Sequence, residues 1–235
     1  MKWFLVLMFL LGVAPLTAYA QDTPAVVTLT TPDGITLVGD FYAAESPAPT
    51  LLLLHMANSS RAAWTRSIPT LLEGGYNILA VDMRGWGESG GERDMDATTA
   101  DFPLWFAWLR EQPTVLEDQF AIIGGSVGAN LSLFACINEP GCVTAVALSP
   151  GRDYYGVQPL NALEGDGLGD RSLLILTTIR DSSSGTFPQE LVEAATTFEI
   201  GLIQYPGIGH HGTEILNNRD SALPLVMIWL ETHLG

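Results

Sequence analysis

Uninterrupted runs of apolar residues recur along the chain, and each is short enough for a single strand. Continuous rather than alternating hydrophobicity is typical of strands whose two faces are both buried, as in parallel sheets. The runs are TLLLLH at 50–55, YNILAVD at 76–82, FAIIGG at 120–125, VTAVALS at 143–149, SLLILTTI at 172–179 and EIGLIQY at 199–205. They predict six strands of one sheet.

Two further extended stretches lie earlier in the chain and flank a turn. AVVTLTT at 25–31 and ITLVGDFYA at 35–43 are rich in residues that favour strands, and Pro32-Asp33-Gly34 separates them. Asp-Gly between two such runs is typical of a β-hairpin. The hairpin brings the expected number of strands to eight.

Helical patterns separate most of the later strands. Gly74-Gly75 ends the first helix as C-cap glycines do, and Pro188 begins the fourth. The alternation predicts an α/β fold: a mostly parallel eight-stranded sheet with helices on both faces and right-handed crossovers. Ligands bind such sheets at the carboxyl ends of the strands, so we expect the chemistry in the loops that follow strands. The five predicted helices cover about 61–73, 99–111, 127–137, 188–198 and 222–233.

The first twenty residues have the pattern of a secretory signal peptide. Lys2 supplies the positive start, residues 4–13 are almost all apolar, and Ala18-Tyr19-Ala20 fits a cleavage site. A membrane anchor is the alternative, but the apolar run is shorter than the roughly 20 residues that span a bilayer and it stops at Pro15. We therefore expect secretion into the periplasm or the medium, cleavage after Ala20, a single domain over 21–235, and no membrane span in the mature chain.

The charge balance excludes several kinds of partner. The mature chain would contain nine arginines and no lysine against 26 acidic residues, a formal charge of −17. Such a surface repels nucleic acid and anionic lipid, so neither is expected to bind. The sequence carries no signal for an oligomeric state.

Two cysteines lie close together in CINEPGC at 136–142. In a secreted chain, the even number and the Pro140-Gly141 turn between them favour a Cys136–Cys142 disulfide. Two buried thiols are the alternative. A zinc site would need more cysteine or histidine nearby than the sequence offers, so no metal is expected.

The loop after FAII contains the motif G-x-S-x-G, as Gly124-Gly125-Ser126-Val127-Gly128. Between a buried strand and a helix, this motif is typical of a nucleophile elbow, a tight turn that projects the serine Oγ clear of the sheet. Side chains two positions before and after the serine would collide with neighbouring backbone. The Val127 amide, at the start of a helix, is expected to point to the site where an oxyanion forms.

A hydrolytic serine needs a base, and the mature chain has four histidines. His233 falls in the last predicted helix, and His55 ends a strand at a position that favours a structural role. The remaining two, His210 and His211, lie in PGIGHHG, a glycine-rich loop after the last strand that could carry a histidine over Ser126.

The base in turn needs an acid to orient its ring. Asp181 follows SLLILTTI in the loop IRDSSSG, and its competitor is Asp153, in LSPGRDYYG one strand earlier. The chain order Ser126, Asp181, His is the Ser–Asp–His order of one group of hydrolases. In this context Asp181 is favoured, and Asp153 remains the alternative acid.

Together, three motifs resemble the α/β-hydrolase family over nearly all of the mature chain. They are the elbow, DMRGWGES at 82–89, which is similar to the family's D-x-R-G-x-G-x-S loop, and YPGIGHHG at 205–212, similar to its histidine loop. The likeness is to small bacterial members of the dienelactone-hydrolase or carboxylesterase kind. The chain departs from them in HMAN at 55–58, where many members have His-Gly. The second oxyanion amide is therefore expected from Met56 or Ala57. Asp82 and Arg84 are given no catalytic role.

The resemblance also separates the two adjacent histidines. A G-x-G-H reading of the loop would make His210 the base, but HGTEIL at 211–216 resembles the segment of small secreted relatives in which the base precedes Gly and Thr. His211 is therefore the predicted base and His210 the alternative.

The resulting hypothesis is a secreted serine hydrolase that cleaves small carboxylic esters through an acyl-enzyme on Ser126, with no metal or organic cofactor. The only candidate lid is the short segment 151–171, which favours an open pocket for small acyl groups. A catalytically inactive binding protein on the same fold and an acyltransferase are the alternatives. The complete Ser–Asp–His set argues against the first, and an acyl-enzyme is common to hydrolysis and acyl transfer.

Overall fold

The computed structural model describes residues 23–164, 167–207 and 209–235. The predicted signal peptide lies outside these ranges. Within them, no helix combines the length and the hydrophobicity needed to cross a membrane.

The described residues form eight strands: β1 (Ala25–Thr30), β2 (Thr36–Tyr42), β3 (Ala48–Leu54), β4 (Asn77–Asp82), β5 (Val115–Gly125), β6 (Cys142–Leu148), β7 (Ser172–Thr178) and β8 (Ile200–Tyr205). They form one sheet in the spatial order β1-β2-β4-β3-β5-β6-β7-β8. Strand β2 pairs antiparallel with β1 and β4, and every later pairing is parallel. The predicted mostly parallel eight-stranded sheet is thus confirmed.

The helices of the described residues are α1 (Ile68–Glu73), α2 (Met95–Arg110), α3 (Val127–Asn138), α4 (Pro159–Ala162), α5 (Phe187–Ala194), α6 (Glu214–Asn218) and α7 (Ala222–Leu234). They cover both faces of the sheet, as consecutive residues of β3 demonstrate. Leu52 and Leu54 belong to the apolar cluster that includes Phe102 and Phe106 of α2, whereas Leu51 and Leu53 pack in the cluster that includes residues of α1 and α7. All four leucines are fully buried, which explains the continuous apolar run.

The edge strand β8 differs from the interior strands in its exposure. All six of its residues are only partly buried, whereas every residue of its neighbour β7 is buried. It pairs with β7 from Leu173–Ile200 to Thr178–Tyr205. The histidine loop follows directly from its end.

The motif DMRGWGES fixes the loop after β4 to its surroundings. Asp82 is fully buried and accepts hydrogen bonds from the Arg61 amide at 2.7 Å and the Glu88 amide at 2.8 Å, and its carboxylate also pairs with the Arg61 guanidinium. The Arg84 guanidinium joins Asp33 of the hairpin turn to Asp101 of α2. Both side chains therefore hold elements of the fold together.

The predicted disulfide is present: Cys136, near the end of α3, is bonded to Cys142 at the start of β6. Both residues are buried. The bridge closes the turn that contains Pro140 and Gly141, at the opposite end of α3 from Ser126.

Replacing both cysteines by alanine should lower the free energy of unfolding by about 2 kcal/mol, because the bridge restricts the unfolded chain even when the loop it closes is short. Urea unfolding of the oxidised protein and of the double variant measures the difference. The circular dichroism spectrum of the folded protein serves as the control and should be unchanged, since the bridge joins only the end of α3 to the start of β6. Alkylation of both cysteines in the native, unreduced protein would contradict the bridge.

Candidate active site

Ser126 occupies the turn between β5 and α3. Its backbone has φ 54° and ψ −118°, a conformation that L-residues rarely adopt. The turn is held because the Ser126 amide donates to the Leu148 carbonyl at 2.9 Å and its carbonyl accepts from the Ala129 amide at 2.9 Å. The strained backbone is therefore fixed from both the neighbouring strand and the following helix.

The two glycines that flank Ser126 at a distance of two residues permit backbone contacts that no side chain would allow. A Cβ at position 124 would lie 1.9 Å from the carbonyl oxygen of Gly128, and a Cβ at position 128 would lie 2.5 Å from that of Leu54. Both distances are well below van der Waals contact. The spacing of the motif thus reflects the close packing of β3, β5 and α3.

Hydrogen bonds join Ser126, His211 and Asp181, which come from three different loops. His211 Nε2 lies 2.7 Å from Ser126 Oγ, and His211 Nδ1 lies 2.7 Å from Asp181 Oδ2. An ionised carboxylate can only accept, so Nδ1 carries the proton and Nε2 is free to accept from the serine hydroxyl. This tautomer is the one that a general base needs.

The Asp181 carboxylate is held by its own loop as well as by His211. Its Oδ1 accepts from the amides of Ser183 at 3.0 Å and Ser184 at 3.3 Å, and its Oδ2 accepts from the Ser184 hydroxyl at 3.2 Å. Burial alone would raise the pKa of Asp181, but hydrogen bonding, above all from His211, outweighs it and lowers the pKa to about 2. The group is therefore an anion at neutral pH.

Neither of the two alternative residues takes part in this arrangement. His210 contributes its carbonyl oxygen, which accepts from Thr178 Oγ1 at 3.1 Å, and its ring makes no hydrogen bond within the described residues. Asp153 is exposed and accepts from the Gly156 amide and from Gln158 Nε2.

His55 is fully buried behind the oxyanion segment. Its Nδ1 donates to the Met56 carbonyl at 2.7 Å and its Nε2 accepts from the Met83 amide at 3.0 Å. Burial lowers the pKa of the ring, which agrees with a neutral imidazole bonded to two backbone groups. These contacts fix the start of the loop that contains Met56 and Ala57.

The predicted oxyanion donors come from two loops, the elbow after β5 and the segment after β3. The Val127 amide is the first of α3 and has no acceptor within the described residues, and the same holds for the amides of Met56 and Ala57. The Met56 side chain packs between the elbow and the histidine loop: a Cβ at Gly125 would lie 3.1 Å from its Cγ, and one at Gly212 would lie 2.3 Å from its Sδ. Met56 therefore brings the two loops into contact.

Two residues that support the site, Ser184 and Asn130, had no role predicted from the sequence. Ser184 donates a hydrogen bond to Asp181. Asn130 is fully buried in α3 and forms hydrogen bonds with the loop after β6. The run of serines after Asp181 is a signal for the first, since short polar side chains favour such local bonds. The position of Asn130, one helical turn beyond the serine, is the only signal for the second.

Asp181→Asn should abolish a pH-dependent contribution to stability. Because the pKa of Asp181 is lowered in the folded state, the carboxylate stabilises the fold fully above the unfolded pKa of about 3.9, and this contribution is lost as the pH falls through about 2. The stability advantage of the wild type over the variant should therefore shrink by about 2 kcal/mol from about pH 6 to about pH 2. Urea unfolding across this range measures it. A constant difference would contradict the lowered pKa.

Comparisons with known proteins identify the family and the fold of the chain. A family model described as X-Pro dipeptidyl-peptidase (S15 family) matches residues 15–179. Among curated proteins, the polyketide transferase grgF of a Penicillium species is 34% identical over 135 residues, which cover 55% of this chain. The alignment covers 46% of grgF, so the chain matches about half the length of that relative.

Two solved structures illustrate the likeness of fold. The esterase Pf2001 of Pyrococcus furiosus superposes with a TM-score of 0.76 at 23% identity, covering 90% of this chain and 93% of the esterase. The dienelactone hydrolase of Anabaena variabilis superposes with a TM-score of 0.72 at 16% identity, covering 93% of this chain and all of that one (100%). At these identities the likeness is one of architecture.

Proposed function

Because the chain belongs to the X-Pro dipeptidyl-peptidase (S15) family of α/β-hydrolases, we propose that it is a secreted serine hydrolase that cleaves carboxylic esters. The observation that carries the proposal is the unbroken series of hydrogen bonds from Asp181 through His211 to Ser126. An acid, a base and a nucleophile joined in this order are what nucleophilic catalysis requires.

The geometry supports a two-step reaction. Ser126 Oγ attacks the ester carbonyl while His211 Nε2 takes the hydroxyl proton, and the negative Asp181 stabilises the imidazolium. The tetrahedral intermediate collapses as His211 returns the proton to the departing alcohol, which leaves an acyl ester on Ser126. A water molecule then attacks this ester with His211 as base, and the acid product leaves with Ser126 restored.

The oxyanion of each tetrahedral intermediate would be bound by backbone amides. The Val127 amide supplies one donor, and the segment Met56–Ala57 supplies the second. Their lack of other acceptors supports this role, because donors that are already free and oriented need no reorganisation during the reaction. The strained conformation of Ser126 places its Oγ on the same side of the elbow.

The short segment that would cover the site supports a preference for small substrates. The described part of the lid segment contains one short helix, α4, and a tight turn at Tyr154–Val157. A cleft of about 630 Å³ lies beside this turn and is lined by both polar and apolar side chains, including Arg93, Phe134 and Tyr155. Ser126 and His211 are not part of its lining, so the cleft is proposed to take only a distal portion of the substrate.

Secretion is part of the proposal. It rests on the N-terminal sequence pattern and on the Cys136–Cys142 disulfide, since such bonds persist in oxidising compartments outside the cytosol. The absence of lysine and the excess of acidic residues would keep the mature protein soluble there.

Acyl transfer is the second candidate function, and the likeness to the polyketide transferase grgF favours it. The first half of the reaction is the same. The two functions differ in whether water or another nucleophile attacks the acyl group on Ser126.

A panel of p-nitrophenyl esters from acetate to palmitate tests the proposal. Alanyl-prolyl p-nitroanilide is assayed beside it to test for the X-Pro dipeptidyl-peptidase activity after which the family is named. We expect the fastest turnover with short acyl chains and labelling by a fluorophosphonate. Adding a primary alcohol as acceptor separates the two functions, because a transferase would form the new ester in preference to the acid. Failure of all these substrates and of the label would favour a catalytically inactive binding protein.

A further inference from the structure

The loop of residues 151–157, which we call the lid loop, places a tyrosine against the proposed base. The rings of Tyr154 and His211 have centroids 6.0 Å apart and are perpendicular, the edge-to-face geometry that aromatic pairs favour. The loop doubles back on itself directly after this residue: Tyr154 and Val157 exchange backbone hydrogen bonds of 3.2 and 3.0 Å. The tyrosine thus lies at the base of a tight turn.

Asn130 fastens both ends of the lid loop to the helix that begins after Ser126. Its Nδ2 donates to the carbonyls of Gly151 at 2.9 Å and Val157 at 2.8 Å, and its Oδ1 accepts from the Gly151 amide at 3.0 Å. The side chain is fully buried, so these bonds do not compete with solvent. The loop is held at the residues on either side of Tyr154.

The contact with Tyr154 bears on the orientation of the His211 ring. The N–H and the lone pair of a neutral imidazole lie in the plane of the ring. The hydrogen bonds to Asp181 and Ser126 therefore fix the two nitrogens of His211. They restrain rotation about the axis through those nitrogens only weakly, since hydrogen bonds tolerate some deviation from linearity. A contact with another ring restrains that rotation, and Tyr154 supplies it.

We propose that Asn130, Gly151 and Tyr154 form a latch in which the first two hold the tyrosine ring against His211, and that Tyr154 is a positioning residue for the base. The inference rests on the proposed function. It adds three residues to the site that act through His211 rather than on the substrate.

Gly151 offers a way to displace the tyrosine ring without changing it. A Cβ on Gly151 would lie 2.2 Å from Tyr154 Cζ, and the three nearest atoms to that Cβ all belong to the Tyr154 side chain. Gly151 is not among the glycines with positive φ, so its backbone accepts alanine. Gly151→Ala should therefore move the ring and little else.

The test is a double-variant cycle of Gly151→Ala and Tyr154→Ala, assayed on the acetate and butyrate p-nitrophenyl esters. We expect each single variant to lower kcat by about tenfold, because small misplacements of a catalytic group are costly, with KM changed by less than about twofold. The factor should be the same for both esters. In the Tyr154→Ala background, Gly151→Ala should have no further effect, since the clash it creates is gone. Tyr154→Phe keeps the ring but removes the hydroxyl that donates to the Ser149 carbonyl at 3.5 Å, so it should recover most of the kcat that Tyr154→Ala loses.

Other outcomes would overturn the latch. If the losses of kcat in the two single variants multiply in the double variant, Gly151 does not act through Tyr154. A loss confined to KM, or one that differs between the two esters, would make Tyr154 a substrate contact. Should Gly151→Ala fail to fold, Asn130→Ser replaces it in the same cycle with the same expectation. An inactive wild type would refute the proposed function, whereas an active wild type with unaffected variants would refute the latch alone.

Discussion

Ser126→Ala is expected to lower the turnover of a short-chain ester by about 10⁴- to 10⁶-fold and to abolish labelling by a fluorophosphonate. The reason is that the substitution removes the oxygen atom that we propose forms the acyl-enzyme, while His211 and Asp181 remain hydrogen-bonded to each other. Ester hydrolysis gives the first readout, measured before and after trace contaminating esterases are removed. Mass spectrometry of the labelled peptide gives the second.

Ser132→Ala is the matched control for this variant. Ser132 lies in α3, the helix that follows Ser126, is also buried, and donates its hydroxyl to the Ala129 carbonyl at 2.8 Å. It should keep turnover and labelling. Undiminished activity in Ser126→Ala, or a label found on another serine, would refute the proposed nucleophile.

The adjacent pair His210 and His211 provides the second large effect. His211→Ala should lower turnover by about 10³- to 10⁵-fold, because no other described imidazole lies within hydrogen-bonding distance of Ser126 Oγ. His210→Ala should stay within a few-fold of the wild type, since His210 contacts the site through its carbonyl group, which alanine retains. Steady-state kinetics of both variants on one ester, with circular dichroism to check folding, measures the contrast.

Each variant acts as the control for the other, because both substitutions remove an imidazole from the same loop. The reverse result, with His210→Ala inactive, would mean that the loop adopts a different path in the active enzyme. Activity in both variants would exclude the loop as the source of the base.

The sequence predicted the strands better than the helices, for a physical reason. Strands buried on both faces need continuous apolar runs, and all six of these runs became strands. The helix predicted over 61–73 is instead a short 3₁₀ turn at Arg61–Trp64 followed by α1, which begins next to Pro69 because proline lacks the amide that a continuous helix needs.

Helix ends depended on contacts that a hydrophobic pattern does not reveal. Helix α2 starts four residues before the predicted 99, since the Asp94 side chain caps it by accepting from the Ala97 amide. Helix α5 ends at Ala194 rather than 198, before two threonines that favour helix poorly. The short helices α4 and α6 have too few residues for a periodic pattern.

For the candidate site, the sequence could supply residue types and their chain order but not which neighbours touch. The elbow is a local motif, so Ser126 and Val127 could be predicted from the strand and helix on either side. Which of His210 and His211 reaches Ser126 depends on the path of one loop, where Gly209 packs against the Arg180 carbonyl. The latch at Asn130 joins residues 21 and 27 positions apart, and no local pattern encodes such a contact.

The position of β8 at the edge of the sheet has a consequence for how the enzyme loses activity. An edge strand with only partly buried side chains is held by one neighbour, so it can separate from β7 in a local opening that costs less free energy than unfolding the core. Such an opening would carry the histidine loop away from the elbow while the interior strands stay paired. Amide hydrogens of β8 would then exchange with solvent sooner than those of β5 and β6, and catalysis would fail at denaturant concentrations at which most of the protein is still native.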